Sequence, residues 1–334
     1  MPGSRIVALG HHQPERVLTN ADLEALVDTN DEWIRSRVGI RERRIGDEGG
    51  TVADLAAPAA LAALERSGLA PTDIDLVVVA TCTAAERSPN VAAQVARRLG
   101  IPGPAVMDVN VVCAGFCHAL AVADHAIAAG SATHAIVVGA ERFTDVLDWT
   151  DRTTCILMAD GAGAAVVSAT DDPAISPVVW GSVPDMGDAI RIDGDPATFK
   201  QNGQAVFRWT TSKLPALARR VLDRAGVHPD DLGAVVLHQA NLRIIEPMAK
   251  KIAPNAVVAT DVVLSGNTSA ASVPMALSKL VESGRVESGA PILLFGFGGG
   301  LAWAGQVVRC PLSLAPDQRE GREGRERREG REGS

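Results

Sequence analysis

Continuous apolar runs alternate with stretches of helical periodicity along most of the chain. In residues 62–80, a helical stretch ends at Gly68, a turn containing Pro71 follows, and Leu76 begins a run of aliphatic residues. A glycine commonly ends a helix because it adopts the left-handed conformation without strain. A strand that is buried on both faces of a parallel sheet is apolar throughout. The pattern therefore predicts a helix, a tight turn and a buried parallel strand.

The same order of elements recurs later in the chain. Residues 220–238 align with residues 62–80, with the glycine and the proline retained. The identical pairs are Leu64/Leu222, Arg66/Arg224, Gly68/Gly226, Pro71/Pro229, Asp73/Asp231, Val77/Val235 and Val78/Val236. Further apolar runs at 135–139 and 291–296 predict the next strand of each copy. Two copies of one α/β unit predict a layered α/β protein with two pseudo-symmetric halves.

The repeat divides the chain into an N-terminal half, residues 1–170, and a C-terminal half, residues 171–316. Residues 317–334 have a different composition, since from Arg319 onward they are only Arg, Glu, Gly and one Ser. This tail has no apolar side chain to bury, and its glycines oppose a helix. We predict that it is disordered and has no catalytic role.

Composition and charge exclude several classes of protein. Hydrophobic residues make up 46% of the chain, and the net charge is −8. The aromatic residues are six Phe and five Trp, with no Tyr. The sequence has no stripe of basic residues of the kind that binds nucleic acid. It also has no apolar run of the ~18 residues that a membrane span needs. The five cysteines lack both a paired framework and CxxC metal spacing. With no signal-peptide core at the N-terminus, the sequence predicts a cytoplasmic protein without a metal.

Cys113 is the first candidate for chemistry. It follows an apolar run and precedes small residues and a helical pattern, which predicts a strand end, a tight turn and a helix N-terminus. The helix dipole and the free backbone N–H groups of such a turn stabilise a thiolate. The alternative is that Cys113 is a small buried hydrophobic residue, which is the commoner fate of a free cysteine.

Three downstream segments favour the reactive alternative. His238 ends the repeated strand, at the edge where open α/β sheets bind ligands. Asn267 precedes a helix that the repeat makes equivalent to the one after Cys113. The glycine-rich segment 295–303 lacks nucleotide-binding spacings, and its backbone N–H groups could approach a substrate oxygen. Each segment alone also fits a structural role, as a core histidine, a helix cap or a turn.

These motifs together resemble the β-ketoacyl-acyl carrier protein synthase III family. The resemblance lies in the segments around Cys113, His238 and Asn267, in the glycine-rich segment, and in an early stretch at 30–44. It runs from about Ile6 to Val308, without the tail. It implies a thiolase-like fold with αβαβα layers, a homodimer, a Cys113–His238–Asn267 triad, and no metal or redox cofactor.

The resemblance also implies a mechanism. The Cys113 thiolate takes the acyl group of an acyl-CoA, and the backbone N–H groups of Cys113 and Gly300 hold the oxyanion. Malonyl-acyl carrier protein then loses carbon dioxide. His238 Nε2 and the Asn267 amide donate hydrogen bonds to the enolate, which attacks the acyl-cysteine to give β-ketoacyl-acyl carrier protein.

The remaining site residues are carried over from the family's motifs. The positions that match CoA-binding residues are Trp33, Arg37, Arg152, Phe207 and Asn241. The positions that match a basic patch for acyl carrier protein are Arg208, Arg243, Lys250 and Lys251. Such a patch on an acidic chain would steer an acidic partner.

Departures from the family pattern lie around the acyl pocket. The stretch 180–204 is short for the family. Ser88 stands where some members have a bulky aromatic residue that reaches into the partner subunit's pocket, and Trp149 stands before the Arg152 segment where other residues are usual. We hypothesise a starter other than acetyl, in fatty acid or polyketide synthesis. Two alternatives remain, namely acyl transfer to an acceptor without condensation and a catalytically inactive partner subunit.

Overall fold

The computed structural model describes residues 3–311, so the predicted tail lies outside the described residues. The first half contains β1 (Gly3–His12), β2 (Val17–Thr19), α1 (Asn20–Glu24), α2 (Asp31–Val38), β3 (Glu42–Arg44), α3 (Val52–Ser67), β4 (Leu76–Ala80), α4 (Val91–Leu99), β5 (Ala105–Val109), α5 (Gly115–Ala128), β6 (His134–Arg142) and β7 (Asp160–Thr170). The second half contains β8 (Val179–Gly181), β9 (Ile190–Asp193), β10 (Thr198–Gln201), α6 (Gly203–Ala225), β11 (Ala234–Leu237), α7 (Leu242–Ile252), β12 (Val257–Val258), α8 (Val262–Ser265), α9 (Ser272–Glu282), β13 (Pro291–Phe297) and β14 (Trp303–Arg309).

The two halves build two sheets with the same strand order. One sheet runs β1-β7-β6-β4-β5, and the other, from its corresponding edge, runs β8-β14-β13-β11-β12. In each sheet the repeated strand, β4 or β11, pairs in parallel with both neighbours, and the next two pairings are antiparallel. The predicted pseudo-symmetric α/β fold with buried parallel strands is confirmed. The boundaries at 170/171 and 316/317 stay predictions.

The sheets and helices stack as five layers. Helices α3 and α4 cover the outer face of the first sheet, while α6 and α7 cover the second. Helices α5 and α9 lie between the sheets, because both are apolar around most of their circumference. Phe116 and Leu120 of α5 belong to a core cluster that also contains Val78 of the first sheet and Leu294 of the second. Among residues 3–311, no helix is both long and apolar enough to cross a bilayer.

The turns that lead into α5 and α9 have the same backbone. Each opens on a non-glycine residue with a positive φ, Val112 at 46° and Ser269 at 49°, which is a strained region for such residues. Aligning the turns on these residues makes Ala270 the counterpart of Cys113. The expectation that Cys113 and Asn267 occupy equivalent places is therefore corrected. Asn267 lies before its turn, and Asn110 is its counterpart.

Candidate active site

One cavity at the meeting of the two halves contains all three residues of the predicted triad. Cys113 comes from the turn before α5, His238 follows β11, and Asn267 precedes the turn before α9. Their exposed fractions are 7%, 2% and 8%. Apolar side chains such as Met158 and Phe297 line much of the remaining wall. The sequence prediction that these three residues share a site therefore agrees with the geometry.

The Cys113 thiol is packed against the glycine-rich segment. A Cβ on Gly298 would lie 2.8 Å from the Cys113 sulfur, so only glycine fits at this approach. Burial raises the pKa of Cys113 to about 12, although hydrogen bonds from its own backbone N–H and from that of Gly299 work in the opposite direction. The helix N-terminus alone suggested a low pKa, but desolvation of the charged form outweighs it.

The predicted oxyanion donors are the backbone N–H groups of Cys113 and Gly300. The backbone N–H groups that lower the pKa of the Cys113 thiol, against the larger effect of burial, are its own and that of Gly299. Gly300 follows it with a left-handed φ of 69° and is exposed. Its role in holding an oxyanion stays a prediction, and Gly299 is a residue that the sequence analysis did not identify.

His238 is held as a neutral imidazole. Its backbone N–H donates to the Phe295 carbonyl at 2.8 Å, and its Nδ1 lies 2.7 Å from the Ser272 hydroxyl. Ser272 Oγ accepts a hydrogen bond from the Gln239 N–H, so its own proton is available to Nδ1. That arrangement leaves the imidazole proton on Nε2. Burial lowers the pKa of His238 to about 3, which keeps it uncharged near neutral pH.

Asn267 is fixed through both its backbone and its side chain. Its N–H donates to the Leu157 carbonyl at 2.9 Å, and its carbonyl accepts from the Ala159 N–H at 2.9 Å. The side-chain Oδ1 accepts from the Ser269 N–H at 2.9 Å. Because the amide oxygen is occupied, the Nδ2 group is the part of this side chain available to donate to a ligand.

The cavity opens to the surface between α6 and α7. Phe207 and Asn241 line both the cavity and an outer depression that Arg37, Arg208 and Arg243 also line. The sequence analysis assigned these five residues to CoA or carrier-protein binding, and the structure brings them together. The depression is positively charged on its rim, which suits a phosphate-bearing or acidic ligand.

Other predicted binding residues lie further out. Two guanidinium groups lie over the Trp33 ring, that of Arg37 at 5.7 Å and that of Arg152 at 5.1 Å from the ring centre. Arg152 also donates to the Asp28 carbonyl at 2.8 Å. Lys250 and Lys251 lie in the last turn of α7, at the end opposite Arg243, and are separate from the depression.

The departures from the family pattern have different locations. Ile190 and Phe199, both from the short stretch, line the cavity beside the triad. Ser88 is exposed, and Trp149 packs against a core cluster to which both halves contribute. Of these three departures, the short stretch is the one whose side chains line this cavity.

Several residues of the site were not found from the sequence. Gly298, Gly299 and Ser272 lie within motifs that were recognised, but no pattern showed which side chain each would contact. Glu141 is fully buried beneath the turn that starts at Ser269. A single acid at the end of an apolar strand was a signal that could have identified it.

Comparisons with known proteins agree with this geometry. The models of 3-oxoacyl-[acyl-carrier-protein (ACP)] synthase III and of its C-terminal part match residues 107–184 and 222–310. The chain is 66% identical over 313 residues to beta-ketoacyl-[acyl-carrier-protein] synthase III 4 of Streptomyces coelicolor, covering 92% of this chain and 99% of the relative. The protein of that family from Rhodospirillum centenum is 44% identical, with coverage of 92% and 98%.

Solved structures are similar over the same length. The priming beta-ketosynthase from the R1128 polyketide biosynthetic pathway has a TM-score of 0.90 and 39% identity, with coverage of 92% of this chain and 96% of the other. The 3-oxoacyl-[acyl-carrier-protein] synthase III of Aquifex aeolicus has a TM-score of 0.88 and 38% identity, with coverage of 92% and 100%.

Proposed function

The chain is an acyltransferase that belongs to the β-ketoacyl-acyl carrier protein synthase III family, and we propose that it condenses an acyl-CoA starter with malonyl-acyl carrier protein. The observation that carries this proposal is the composition of the cavity. One thiol faces two neutral side chains that present N–H donors, His238 and Asn267. A thiol accepts an acyl group, and paired N–H donors stabilise a developing enolate.

In the first half-reaction, Cys113 attacks the thioester carbonyl and CoA leaves as its thiol. The backbone N–H groups at the turn and in the glycine-rich segment hold the oxyanion of the tetrahedral intermediate. These are the N–H groups of Cys113 and of either Gly299 or Gly300. The close approach of Gly298 to the sulfur supports this role, since it brings the glycine-rich backbone against the reacting atom.

In the second half-reaction, malonyl-acyl carrier protein occupies the cavity that CoA has left. His238 donates from Nε2 and Asn267 from Nδ2 to the thioester oxygen as carbon dioxide departs. The low pKa of His238 supports this step, because a neutral imidazole stabilises the enolate without giving it a proton. The enolate carbon then attacks the acyl-cysteine, and Cys113 is released as the thiolate.

The outer depression serves both carriers in turn. Trp33, Arg37, Arg152, Phe207 and Asn241 bind the CoA nucleotide and pantetheine arm. Arg208 and Arg243 attract the acidic carrier protein at the mouth of the same depression, which their exposed positions support. Lys250 and Lys251, at the other end of α7, add positive charge for the same acidic partner outside the depression. The reaction as written needs no metal or redox cofactor.

The enzyme forms a homodimer through the edge of its first sheet. Strand β5 is the edge of the first sheet, and the side chains of Val106 and Met107 are exposed along it. An exposed apolar edge strand readily pairs with another chain. Light scattering of the native protein tests this, and Met107→Lys should shift the mass toward the monomer. A wild-type protein that stays monomeric at micromolar concentration would contradict the dimer.

The starter is an acyl group other than acetyl. Ile190 and Phe199 bring the short stretch directly into the cavity wall, so the departures in that stretch bear on the acyl group. The similarity to a priming ketosynthase from a polyketide pathway supports a role in polyketide rather than primary fatty acid synthesis. A strict preference for acetyl-CoA would overturn this part of the proposal alone.

The deciding experiment combines intact mass with product analysis. The protein is exposed to a panel of acyl-CoAs, and a mass gain on the Cys113 peptide identifies both the nucleophile and the starter. Malonyl-acyl carrier protein is then added, and carbon dioxide and β-ketoacyl-acyl carrier protein are measured. Acyl transfer without carbon dioxide release would instead indicate transfer to an acceptor. Absence of any acylation would indicate an inactive partner subunit.

A further inference from the structure

A buried carboxyl group lies beneath the strained turn that follows Asn267. Glu141, at the end of β6, has no exposed surface. The donors to its Oε2 are the Thr81 hydroxyl at 3.0 Å, the Cys82 backbone N–H at 3.0 Å and the Thr83 hydroxyl at 2.7 Å. All three donors come from the segment after β4, so the first half of the chain fixes this side chain in place.

The other oxygen of Glu141 contacts the turn of the second half. Its Oε1 accepts from the Ser269 hydroxyl at 3.0 Å and from the Ala270 backbone N–H at 3.4 Å. The Cys82 thiol also donates to it, at 3.2 Å. The Ser269 hydroxyl has a second neighbour in the Cys82 sulfur, at 3.9 Å. The carboxyl oxygen is therefore the nearer partner of this hydroxyl.

Ser269 is the strained residue of the turn and also the support of the Asn267 side chain. Its φ of 49° is in the left-handed region, which a serine occupies only where the surrounding structure enforces it. In this conformation its backbone N–H donates to Asn267 Oδ1 at 2.9 Å. The orientation of the Asn267 amide, and so the direction of its Nδ2 group, therefore depends on the Ser269 backbone.

We propose that Glu141 is a positioning residue for Asn267. By accepting the hydrogen bond of the Ser269 hydroxyl, it keeps the strained turn in the conformation that presents Asn267 Nδ2 to the enolate. Glu141 acts through Ser269 and takes no part in the chemistry itself. This inference rests on the proposed function, because it takes decarboxylative condensation as the step that Asn267 serves.

The equivalent turn of the first half is built differently. Strands β6 and β13 pair with the repeated strands in the same register, which places Gly298 at the position of Glu141. Val112, with a φ of 46°, is the counterpart of Ser269, and its aliphatic side chain cannot donate a hydrogen bond. The pair of carboxyl group and hydroxyl thus belongs to the turn that orients an amide, whereas the turn before Cys113 has a glycine and a valine at these places.

Two substitutions of Ser269 test whether the hydrogen bond to Glu141 stabilises the strained φ. Ser269→Ala removes the hydroxyl and leaves a residue that is strained at this φ, so carbon dioxide release from malonyl-acyl carrier protein should slow about tenfold. Ser269→Gly removes the same hydroxyl, but glycine adopts a positive φ without strain, and the rate should stay within about threefold of wild type. Acylation by acyl-CoA should stay near the wild-type rate in both variants.

Glu141→Gln tests the carboxyl group itself. The Cys82 backbone N–H can only donate, so the amide oxygen takes the place of Oε2 and the NH₂ group faces the turn. Carbon dioxide release should again slow about tenfold, and adding Ser269→Ala should slow it little further, because both changes break one contact. Thr81→Val, which removes a donor to Oε2, is the matched control and should keep both half-reactions. Where Glu141→Gln fails to fold, the two Ser269 variants decide.

Hydrogen exchange of the peptide that contains Ser269 reports on the turn without any substrate. Protection of its backbone N–H should fall about tenfold in Ser269→Ala and in Glu141→Gln, and it should be retained in Thr81→Val. Unchanged protection in the first two variants would refute the support of the turn by Glu141, whatever the activity. A wild-type protein that released no carbon dioxide would instead refute the proposed function.

Two kinetic outcomes would also overturn the positioning role. One is an equal loss of carbon dioxide release in Ser269→Ala and Ser269→Gly, which would show that relief of the strained φ does not matter. The other is a loss of acylation in step with decarboxylation in Glu141→Gln, which would indicate a general structural effect. Slower decarboxylation with unchanged acylation supports the role.

Discussion

The two halves of the molecule have the same backbone at the site but contribute different chemistry. The turn before α5 presents Cys113, where the turn before α9 has Ala270. The strand β11 is followed by His238, where the corresponding strand β4 ends at Ala80. Nucleophile and hydrogen-bond donors thus come from opposite halves. The two halves have equivalent backbone positions at the site. Because the side chains at these positions differ, one half contributes the nucleophile and the other contributes the hydrogen-bond donors.

The central sheet of each half also packs against the turn that the other half contributes to the site. A Cβ on Gly139 of β6 would lie 2.3 Å from the Ala270 carbonyl oxygen. At the corresponding place in β13, a Cβ on Gly296 would lie 2.9 Å from Cα of Ala114. Each strained turn therefore packs against a glycine of the opposite sheet. Because this contact is reciprocal, the position of the thiol depends on both halves.

The largest expected effect is the loss of acylation in Cys113→Ala. Without the thiol no acyl-enzyme can form, and we expect the mass gain from acyl-CoA to fall at least ~1000-fold. Cys117→Ala, which removes a buried thiol from the helix that follows the Cys113 turn, is the matched control and should acylate normally. Adding Ala270→Cys to the inactive variant should not restore acylation, since that position lies against Gly139. Restored labelling would mean that the two turns are interchangeable.

Asn267→Ala should separate the two half-reactions. Loss of one donor to the enolate should slow decarboxylation by roughly 100- to 1000-fold, while acylation stays near the wild-type rate. The assay compares acyl-enzyme formation with carbon dioxide release. Asn110→Ala, at the exposed counterpart in the first half, should change neither. Equal loss of both half-reactions in Asn267→Ala would contradict the assigned role.

The reciprocal packing predicts unequal costs for two alanine substitutions. Gly139→Ala should lower the free energy of unfolding by about 3 kcal/mol, because a methyl group there meets backbone that must move. Gly296→Ala should cost less, about 1 kcal/mol, and should also slow acylation by displacing the Cys113 turn. Gly187→Ala has open space around it and serves as the control. Urea denaturation measures all three, and equal stabilities would refute the packing argument.

The last expected effect is a change in the pH dependence of stability. Burial lowers the folded-state pKa of His238 to about 3, from the ordinary histidine value of 6.5. The unfolded state therefore binds more protons below pH 6.5, and stability falls as pH decreases through that range. His238→Gln should remove up to roughly 1.4 kcal/mol per pH unit of this slope between about pH 6 and 4. Parallel stability curves for the two proteins would contradict the buried, neutral imidazole.

Local patterns were sufficient to predict much of this molecule. The run from Leu76 and its repeat from Ala234 predicted buried parallel strands, because apolar residues without alternation fit a strand covered on both faces. The motifs around Cys113, His238 and Asn267 were sufficient to predict the family and to predict that the three residues share a site. The repeat was less reliable in the turns, where it matched Cys113 with Asn267 although the backbones align Cys113 with Ala270.

The sequence could not predict how deeply each reactive side chain is buried or which distant residues it contacts. A helix N-terminus suggested an acidic thiol, yet burial in the assembled cavity raises the pKa of Cys113 to about 12. Glu141 and Ser269 lie 128 positions apart, and no local pattern connects them. Residue types and their periodicity are properties of the sequence, and they set the strands, the repeat and the reactive groups. Desolvation and contacts between distant segments arise when the two sheets close around α5 and α9, so they appear only in the folded chain.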